Sequence, residues 1–360
     1  MQRIIALLDL DYFFAQCEIL RKPDIKGKPV VIVIPTVREN SGAVATCNYE
    51  ARNLKIRSAM PLSLAKKLAN KETTFINADK DYYTQVSDTV FGIVDLYSEK
   101  VEQVSVDEAY FDLSSAQGFE KAIETVEKIK QRIRSETGLT CSIGLATNKL
   151  IAKMASEEKK PDGFFVVKES EVQNFIKQKQ VGKLFGLGPK SEEALSKIGV
   201  KTISELQNVS KEELLKLFGN ARGEQFFNFA RGIDEREVTP NREKKQISRM
   251  ITLSKDSSDF NEMKENVSFL CERVYAETIK LKKKFKTASI IIITPKFETI
   301  TKSKTFVESI NTLEELRAAT EGLLQDYLST ALKSIRRLGV RVSNFEDAYG
   351  YQKKLFDFGK

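Results

Sequence analysis

The sequence predicts a multidomain α+β protein, on three observations. Short apolar runs alternate with longer helical patterns over roughly the first 165 residues. From about 170 to 233 the pattern is helical only, and a second mixed unit spans about 247–342, beyond a polar, charged stretch. At 360 residues and 41% hydrophobic, the chain can bury more than one core, which excludes a disordered chain or a small disulfide-stapled scaffold.

Ile4–Leu8 reads as a strand, and Asp11 as the cap of a helix running to about Leu20. Pro29–Ile34 is a second β run, followed by a polar loop at 37–41 and short helical patterns at 48–54 and 61–69. A long helix is expected from about Asp79 to Ser98. Strands at 101–104 and 109–113 then flank Asp107–Glu108. A helix (118–136), a strand (140–146), a helix (148–156) and a strand (163–167) complete the first unit. Residues 186–190 (GLGPK) and 218–223 (FGNARG) punctuate the all-helical stretch, and 235–247, with its proline and charges, suits a linker. In the last unit, strands are expected at 247–253, 287–294 and 335–342, with helices at 261–283 and 312–330.

The chain has no histidine, which excludes Ser-His-Asp and Cys-His sites and any His-ligated zinc. General acid–base work falls to carboxylates, Lys, Tyr or a metal-bound water. Cys17, Cys47, Cys141 and Cys271 are far apart with no CxxC pair, so they read as buried small hydrophobes in a reducing compartment. No stretch approaches the roughly 20 apolar residues of a membrane span, and the expected location is cytoplasmic. Lys and Arg number 58 against 50 Asp and Glu, a net +8. Residues 242–341 hold 20 basic against 13 acidic residues, nearly all of that excess, which hints at a polyanionic partner.

Three acids stand where a strand ends. Asp9 closes the first, and Asp107 and Glu108 fill the turn between two short ones in SVDEAYFDL (105–113). If those strands are neighbours, three carboxylates meet at one end of a sheet. Oxygen ligands without nitrogen or sulfur select Mg²⁺, and two such ions suit an in-line phosphoryl displacement. The plainer reading of such a pair is a solvated turn. Asp112 is expected to point away from this cluster.

The blocks LLDLDYFFA (7–15), SGAVATCNYEAR (41–52), SVDEAYFDL (105–113) and TNKLIAKMASEEKKPDGF (147–164) stand in the order and spacing of the Y-family (translesion) DNA polymerases. The chain most resembles the archaeal enzymes of the bacterial polymerase IV type. The resemblance implies a right-hand polymerase fold. It has a ferredoxin-like palm (1–10 and 78–167), fingers (11–77), a helix-hairpin-helix thumb (168–234), a linker (235–245) and an α/β little-finger domain (246–342). It implies that Asp9, Asp107 and Glu108, with the Leu10 carbonyl, hold two Mg²⁺ ions while a primer 3′-hydroxyl attacks the α-phosphate of a dNTP. Low fidelity, low processivity and the lack of a proofreading exonuclease follow, with primer–template DNA as the partner and a monomer as the working form. A nucleotide cyclase with a palm fold and a non-catalytic DNA-binding scaffold are the alternative readings.

By the same resemblance the triphosphate is met by the Tyr12–Phe13 backbone, Thr46, Tyr49, Arg52 and Lys160. Phe14 is the sugar gate that excludes a ribose 2′-hydroxyl. Ala43 and Ala45 are small walls near the templating base. Ala59–Met60 stands where the family often has a glycine first, which adds a methyl there. Gly186 and Gly188, with Lys190, resemble a phosphate-binding hairpin, and Arg336 and Arg337 are expected to grip the DNA backbone. In the tail, 343–360, Gln352, Leu355, Phe356 and Phe358 are spaced like the peptides that bind sliding clamps.

Overall fold

The computed structural model describes residues 2–240, 243–310, 312–330 and 333–347. The chain divides into two compact units, Met1–Ile34 with Ala43–Arg242, and Pro35–Gly42 with Glu243–Lys360.

The first unit opens with β1 (Ile5–Leu10), α1 (Phe13–Arg21), β2 (Val30–Pro35), β3 (Gly42–Cys47), α2 (Tyr49–Asn53), α3 (Leu62–Leu68) and β4 (Thr74–Asn77). It continues through α4 (Lys80–Asp95), β5 (Val101–Gln103), β6 (Glu108–Asp112), α5 (Phe119–Thr137), β7 (Cys141–Ala146), α6 (Lys149–Ser156) and β8 (Phe164–Val166). Five short helices follow, α7 (Val172–Lys177), α8 (Pro189–Lys197), α9 (Ile203–Gln207), α10 (Lys211–Phe218) and α11 (Asn220–Ala230). The main sheet has the order β5-β6-β1-β7-β8, so β1 lies between two antiparallel neighbours. A smaller sheet, β3-β2-β4, carries its own core around Val31, Val33 and Ile56.

Strand periodicity decides which side each residue of β1 serves. Ala6, Leu8 and Leu10 join the core formed with α4 and α5. On α5 the buried positions Ala122, Val126, Ile129 and Ile133 recur at helical spacing, which explains its 19 residues. Ile5 and Leu7 pack on the opposite face against Leu150, Ile151 and Met154 of α6. Asp9 shares their parity and therefore faces α6.

The second unit contains β9 (Gln246–Ser257), α12 (Phe260–Lys280), β10 (Lys283–Ile293), β11 (Thr299–Ile310), α13 (Leu313–Thr330) and β12 (Ile335–Asp347) in the sheet β11-β10-β12-β9. Both helices share a core with Leu338, Val340 and Val342 on one face of that sheet. Alternation places Arg337 and Arg341 on the other.

Three strands go beyond the sequence expectation. β11 has few apolar residues (TITKSKTFVESI) and Val307 fully in solvent, because it is an edge strand. β3 and β4 are short and half-buried. The Asp11 cap is also corrected. Tyr12 takes the N-cap position of α1 with no side-chain cap bond. Asp11 is instead buried, accepting from Thr140 Oγ1 (3.0 Å), Ser142 Oγ (2.8 Å) and the Asp162 backbone N–H (2.8 Å). The polar stretch after 233 is docked at its start, where Lys149 Nζ and the Thr239 N–H both bond Glu102 Oε2, at 2.6 and 2.9 Å. All four cysteines are free and buried, as expected. Among the described residues no helix is long and apolar enough to cross a membrane.

Candidate active site

The β1–β6 register pairs Asp9 directly with Glu108, and the Leu10 N–H donates to the Asp107 carbonyl at 2.9 Å. The three sequence-predicted acids therefore reach one end of the main sheet. They line a cavity of about 270 Å³ together with Leu10, Tyr12, Phe13, Phe14, Ala45, Thr46, Tyr49, Arg52 and Lys160. Asp112 lies at the far end of β6, paired with Ile5, and accepts from the Ser114 N–H.

The β1–α1 turn is held open by Gln16. Its amide donates to the Asp11 carbonyl at 2.7 Å while its oxygen accepts from the Thr140 N–H at 2.5 Å. Tyr12 is left-handed there (φ 36°), and Tyr12, Phe13 and Phe14 at the start of α1 all line the cavity. Asn48 caps α2 through the Ala51 N–H, and on that one turn the Arg52 guanidinium lies 4.7 Å over the Tyr49 ring. Tyr12 meets Tyr49 edge-on at 5.5 Å. Phe14 stacks on Tyr83 with ring centroids 4.3 Å apart and planes 15° from parallel.

Sequence reasoning missed Lys153. Its ammonium lies 3.0 Å from Asp9 Oδ2, bonds Glu108 Oε1, and reaches Glu157 at 3.3 Å. Lys160 Nζ is 2.7 Å from the other Asp9 oxygen. Gly144 makes this arrangement possible, since a Cβ there would stand 2.1 Å from the Ala152 carbonyl oxygen. Only glycine lets α6 press onto β7 and carry Lys153 over the carboxylates. Burial works to raise Asp9, but the hydrogen bond with Glu108 and the two ammonium groups hold it below the ordinary carboxylate value. Glu108 moves the other way, pushed up by burial and by sharing a hydrogen bond with Asp9. Burial opposes the charge of Lys153, yet Asp9 and Glu108 raise it above the usual lysine value.

Asp107 turns its carboxylate to the Ser105 hydroxyl. Among the described residues, no three ligating side chains are gathered closely enough to hold a metal ion as they stand. The donor chemistry nevertheless fits a hard divalent cation. It is oxygen-only, and two lysine ammonium groups already occupy the position of positive charge on it.

Ala43, Ala59 and Met60 lie beside the cavity rather than on its wall. Ala43 bridges Pro61, and the Ala59 N–H and Val44 N–H bond Val44 and Met60 carbonyls at 2.9 Å. Ser58 lines the cavity in their place. Ala59 adopts φ 66°, a left-handed conformation where a Cβ is strained, which is the physical reason a glycine suits this position. Away from the cavity, Gly186 has φ 82° and Gly188 caps α8, with open space beside both and Lys190 exposed. Arg222 reaches this turn from α11, 3.4 Å from the Gly186 carbonyl oxygen. In the second unit Arg336 pairs with Asp256 at 3.3 Å, while the Nε atoms of Arg337 and Arg341 are buried with no hydrogen-bond partner among the described residues. Gln352, Leu355, Phe356 and Phe358 lie outside the described residues.

The chain matches the impB/mucB/samB family over residues 8–157, the C-terminal domain of that family over 244–355, and the thumb domain of DNA polymerase iota over 182–234. It is 36% identical to DNA polymerase IV of Nitrosopumilus maritimus over 97% of each chain. It is 39% identical to DNA polymerase IV 1 of Methanosarcina mazei, over 99% of this chain and 100% of the relative. Among solved structures, the Y-family polymerase chimera Dbh-Dpo4(243-245)-Dbh superposes with a TM-score of 0.90 at 29% identity, covering 96% of this chain and 99% of the other. Matches along the whole length, on a sheet that brings Asp9, Asp107 and Glu108 to one cavity, place the chain in the Y-family of DNA polymerases, of the polymerase IV type.

Proposed function

We propose that the cavity at the end of β1 and β6 is the polymerase active site. The observation that carries this is the pairing of Asp9 with Glu108 in a cavity that Tyr49, Arg52 and Phe14 also line. The chain is a template-directed translesion DNA polymerase, and its function depends on a divalent metal. The finer assignment is two Mg²⁺ ions, held by Asp9, Asp107 and Glu108 with the Leu10 carbonyl. Bound there, magnesium supplies the positive charge that lets a primer 3′-hydroxyl displace pyrophosphate from a dNTP.

The residues around it divide the remaining work. Arg52, Tyr49, Thr46 and Lys160, with the N–H groups of the Tyr12–Phe13 turn, neutralise and orient the triphosphate. For Lys160 this requires exchanging Asp9 and Glu157, its partners at 2.7 and 2.9 Å, for phosphate oxygens. Phe14, its back held by Tyr83, closes the volume a ribose 2′-hydroxyl would need. Ala45 and Ser58, with Ala43, Ala59 and Met60 behind them, form the side nearest the templating base.

The domain assignment that accompanies this reading is a palm over 1–10 and 78–167, fingers over 11–77, a thumb over 168–234 and a little finger over 246–342. The insertion ternary complex of Dbh DNA polymerase, which superposes with a TM-score of 0.70 at 29% identity, supports primer–template DNA and an incoming nucleotide as substrates here. The Gly186–Lys190 turn with Arg222, and Arg336 and Arg337 with Arg341 beside them, supply phosphate contacts that position DNA without reading sequence. The protein works as a cytoplasmic monomer of low processivity, and the 343–360 tail tethers it to a sliding clamp. Deleting 351–360 should abolish stimulation by a loaded clamp and leave extension of a short primer intact.

Primer extension with Mg²⁺ on plain and base-damaged templates tests the whole reading. Template-dependent addition on both supports it. Formation of a cyclic nucleotide, or DNA binding without turnover, overturns it.

A further inference from the structure

One buried acid in the first unit is used by nothing described so far. Glu18 lies on α1, four residues after Phe14, and is only 2% exposed. Burying a carboxylate is costly unless its bonds are fixed. Here they are. Tyr83, itself 1% exposed, donates its hydroxyl to Glu18 Oε1 at 3.0 Å, and Arg21 Nη1 bonds the same oxygen at 3.3 Å. Arg21 is anchored in turn by Asp79 at 3.0 Å.

This network ends on the Phe14 ring at the cavity. Tyr83 stands on α4 and presents its ring face to Phe14, with centroids 4.3 Å apart, while Phe14 lines the active-site cavity. Phe13 touches the Tyr83 ring at 6.4 Å in edge geometry, so two neighbours confine that ring and the Glu18 bond fixes its rotation. Burial first, and the Glu18 carboxylate after it, hold the Tyr83 phenol above its ordinary value, so it remains a donor. A gate of this kind works by excluding one oxygen atom. Its discrimination therefore depends on ring position to a fraction of an ångström, and an aromatic ring backed only by flexible side chains would yield.

We propose that Tyr83 and Glu18 are positioning residues for sugar selection, with Glu18 locking Tyr83 and Tyr83 holding Phe14 in the place where it rejects ribonucleotides. This rests on the reading of Phe14 as the sugar gate. Neither residue is among those that line the cavity, so their removal should change the choice between sugars more than it changes use of the correct nucleotide.

The test is the ratio of kcat/KM for a dNTP to that for the matching rNTP, measured by single-nucleotide primer extension with the full chain. Phe14→Ala examines the gate itself. Tyr83→Leu removes the backing ring and should relax the ratio about tenfold or more. Glu18→Ala removes the lock and should relax it about threefold, whereas Glu18→Gln keeps an acceptor for the Tyr83 hydroxyl and should restore it. Combined with Phe14→Ala, Tyr83→Leu should add nothing further, since both act on one ring. If Phe14→Ala relaxes the ratio but Tyr83→Leu and Glu18→Ala leave it at the wild-type value, the positioning role is overturned and the gate stands. If Phe14→Ala leaves the ratio unchanged, the gate reading fails and the positioning role with it. Should Tyr83→Leu not fold, the contrast between Glu18→Ala and Glu18→Gln decides, and equal ratios in those two overturn the proposal.

Discussion

The Lys153 ammonium lies 3.0 Å from Asp9 Oδ2 and also bonds Glu108, so one lysine side chain joins two carboxylates that face each other across neighbouring strands. Gly144 sets this relationship by allowing α6 to lie directly on β7. The arrangement gives the carboxylate end of the sheet a cation of its own.

Without that cation, Glu108 loses its ammonium partner and Asp9 keeps only Lys160. Lys153→Met keeps most of the length and the apolar stem of the side chain and removes the ammonium with its hydrogen bonds. The side chain is 20% exposed, and the metal-free variant should lose about 2 kcal/mol of stability. Urea unfolding in EDTA measures this loss, and added Mg²⁺ should return part of it to the variant. Identical midpoints for variant and wild type in EDTA would show that Lys153 contributes nothing there.

Ala59 gives a prediction of opposite sign. Its φ of 66° places a Cβ in a region only glycine visits at no cost. Ala59→Gly relieves that strain, offset in part by the greater freedom of glycine in the unfolded chain, for a net gain of about 0.5–1 kcal/mol. The urea midpoint should rise. A fall would mean that the Ala59 methyl makes a packing contribution larger than its strain.

The buried thiols predict how stability changes with pH. Burial pushes Cys17 and Cys141 up to about 12 and Cys271 up to about 11, against an ordinary value of 9.0. In the unfolded chain these thiols ionise from about pH 9, while in the folded chain they keep their protons. The folded state then binds more protons, so their contribution is full below the ordinary value and is lost as pH rises towards the folded values. Each thiol should contribute a downward slope that grows through pH 9 towards a limit of about 1.4 kcal/mol per pH unit. Urea unfolding of the reduced protein at several values between pH 8.5 and 10.5 tests it. A Cys141→Ala variant should show a shallower slope, and a slope equal to that of wild type would contradict the assignment.

The three acids of the candidate site were legible in the sequence because they are local to strand ends, whereas the other cavity residues were read only through the family resemblance. Asp9 ends an apolar run, and Asp107–Glu108 sit between two short β patterns, so only the pairing of β1 with β6 had to be supplied. Lys153 was not legible. On α6 it reads as one more helical lysine, and its partner Asp9 lies 144 positions away. Asp11 misled for a related reason. An acid just before a helix resembles a cap, but its bonds run to Thr140, Ser142 and Asp162, which no local pattern reveals. β11 was missed because an edge strand with Lys, Ser and Thr facing water lacks the apolar alternation by which strands are read.

The most direct measurement compares chemistry with binding in Asp107→Ala and Glu108→Ala. Each removes one carboxylate from the cavity, while the phosphate contacts assigned to the Gly186–Lys190 turn and to Arg337 and Arg341 remain. Single-turnover addition of a dNTP in Mg²⁺ should fall by about a thousandfold or more, while the Kd for primer–template DNA stays within about threefold of wild type. Addition within about tenfold of wild type by either variant would contradict the assignment of these carboxylates to the metal-dependent active site.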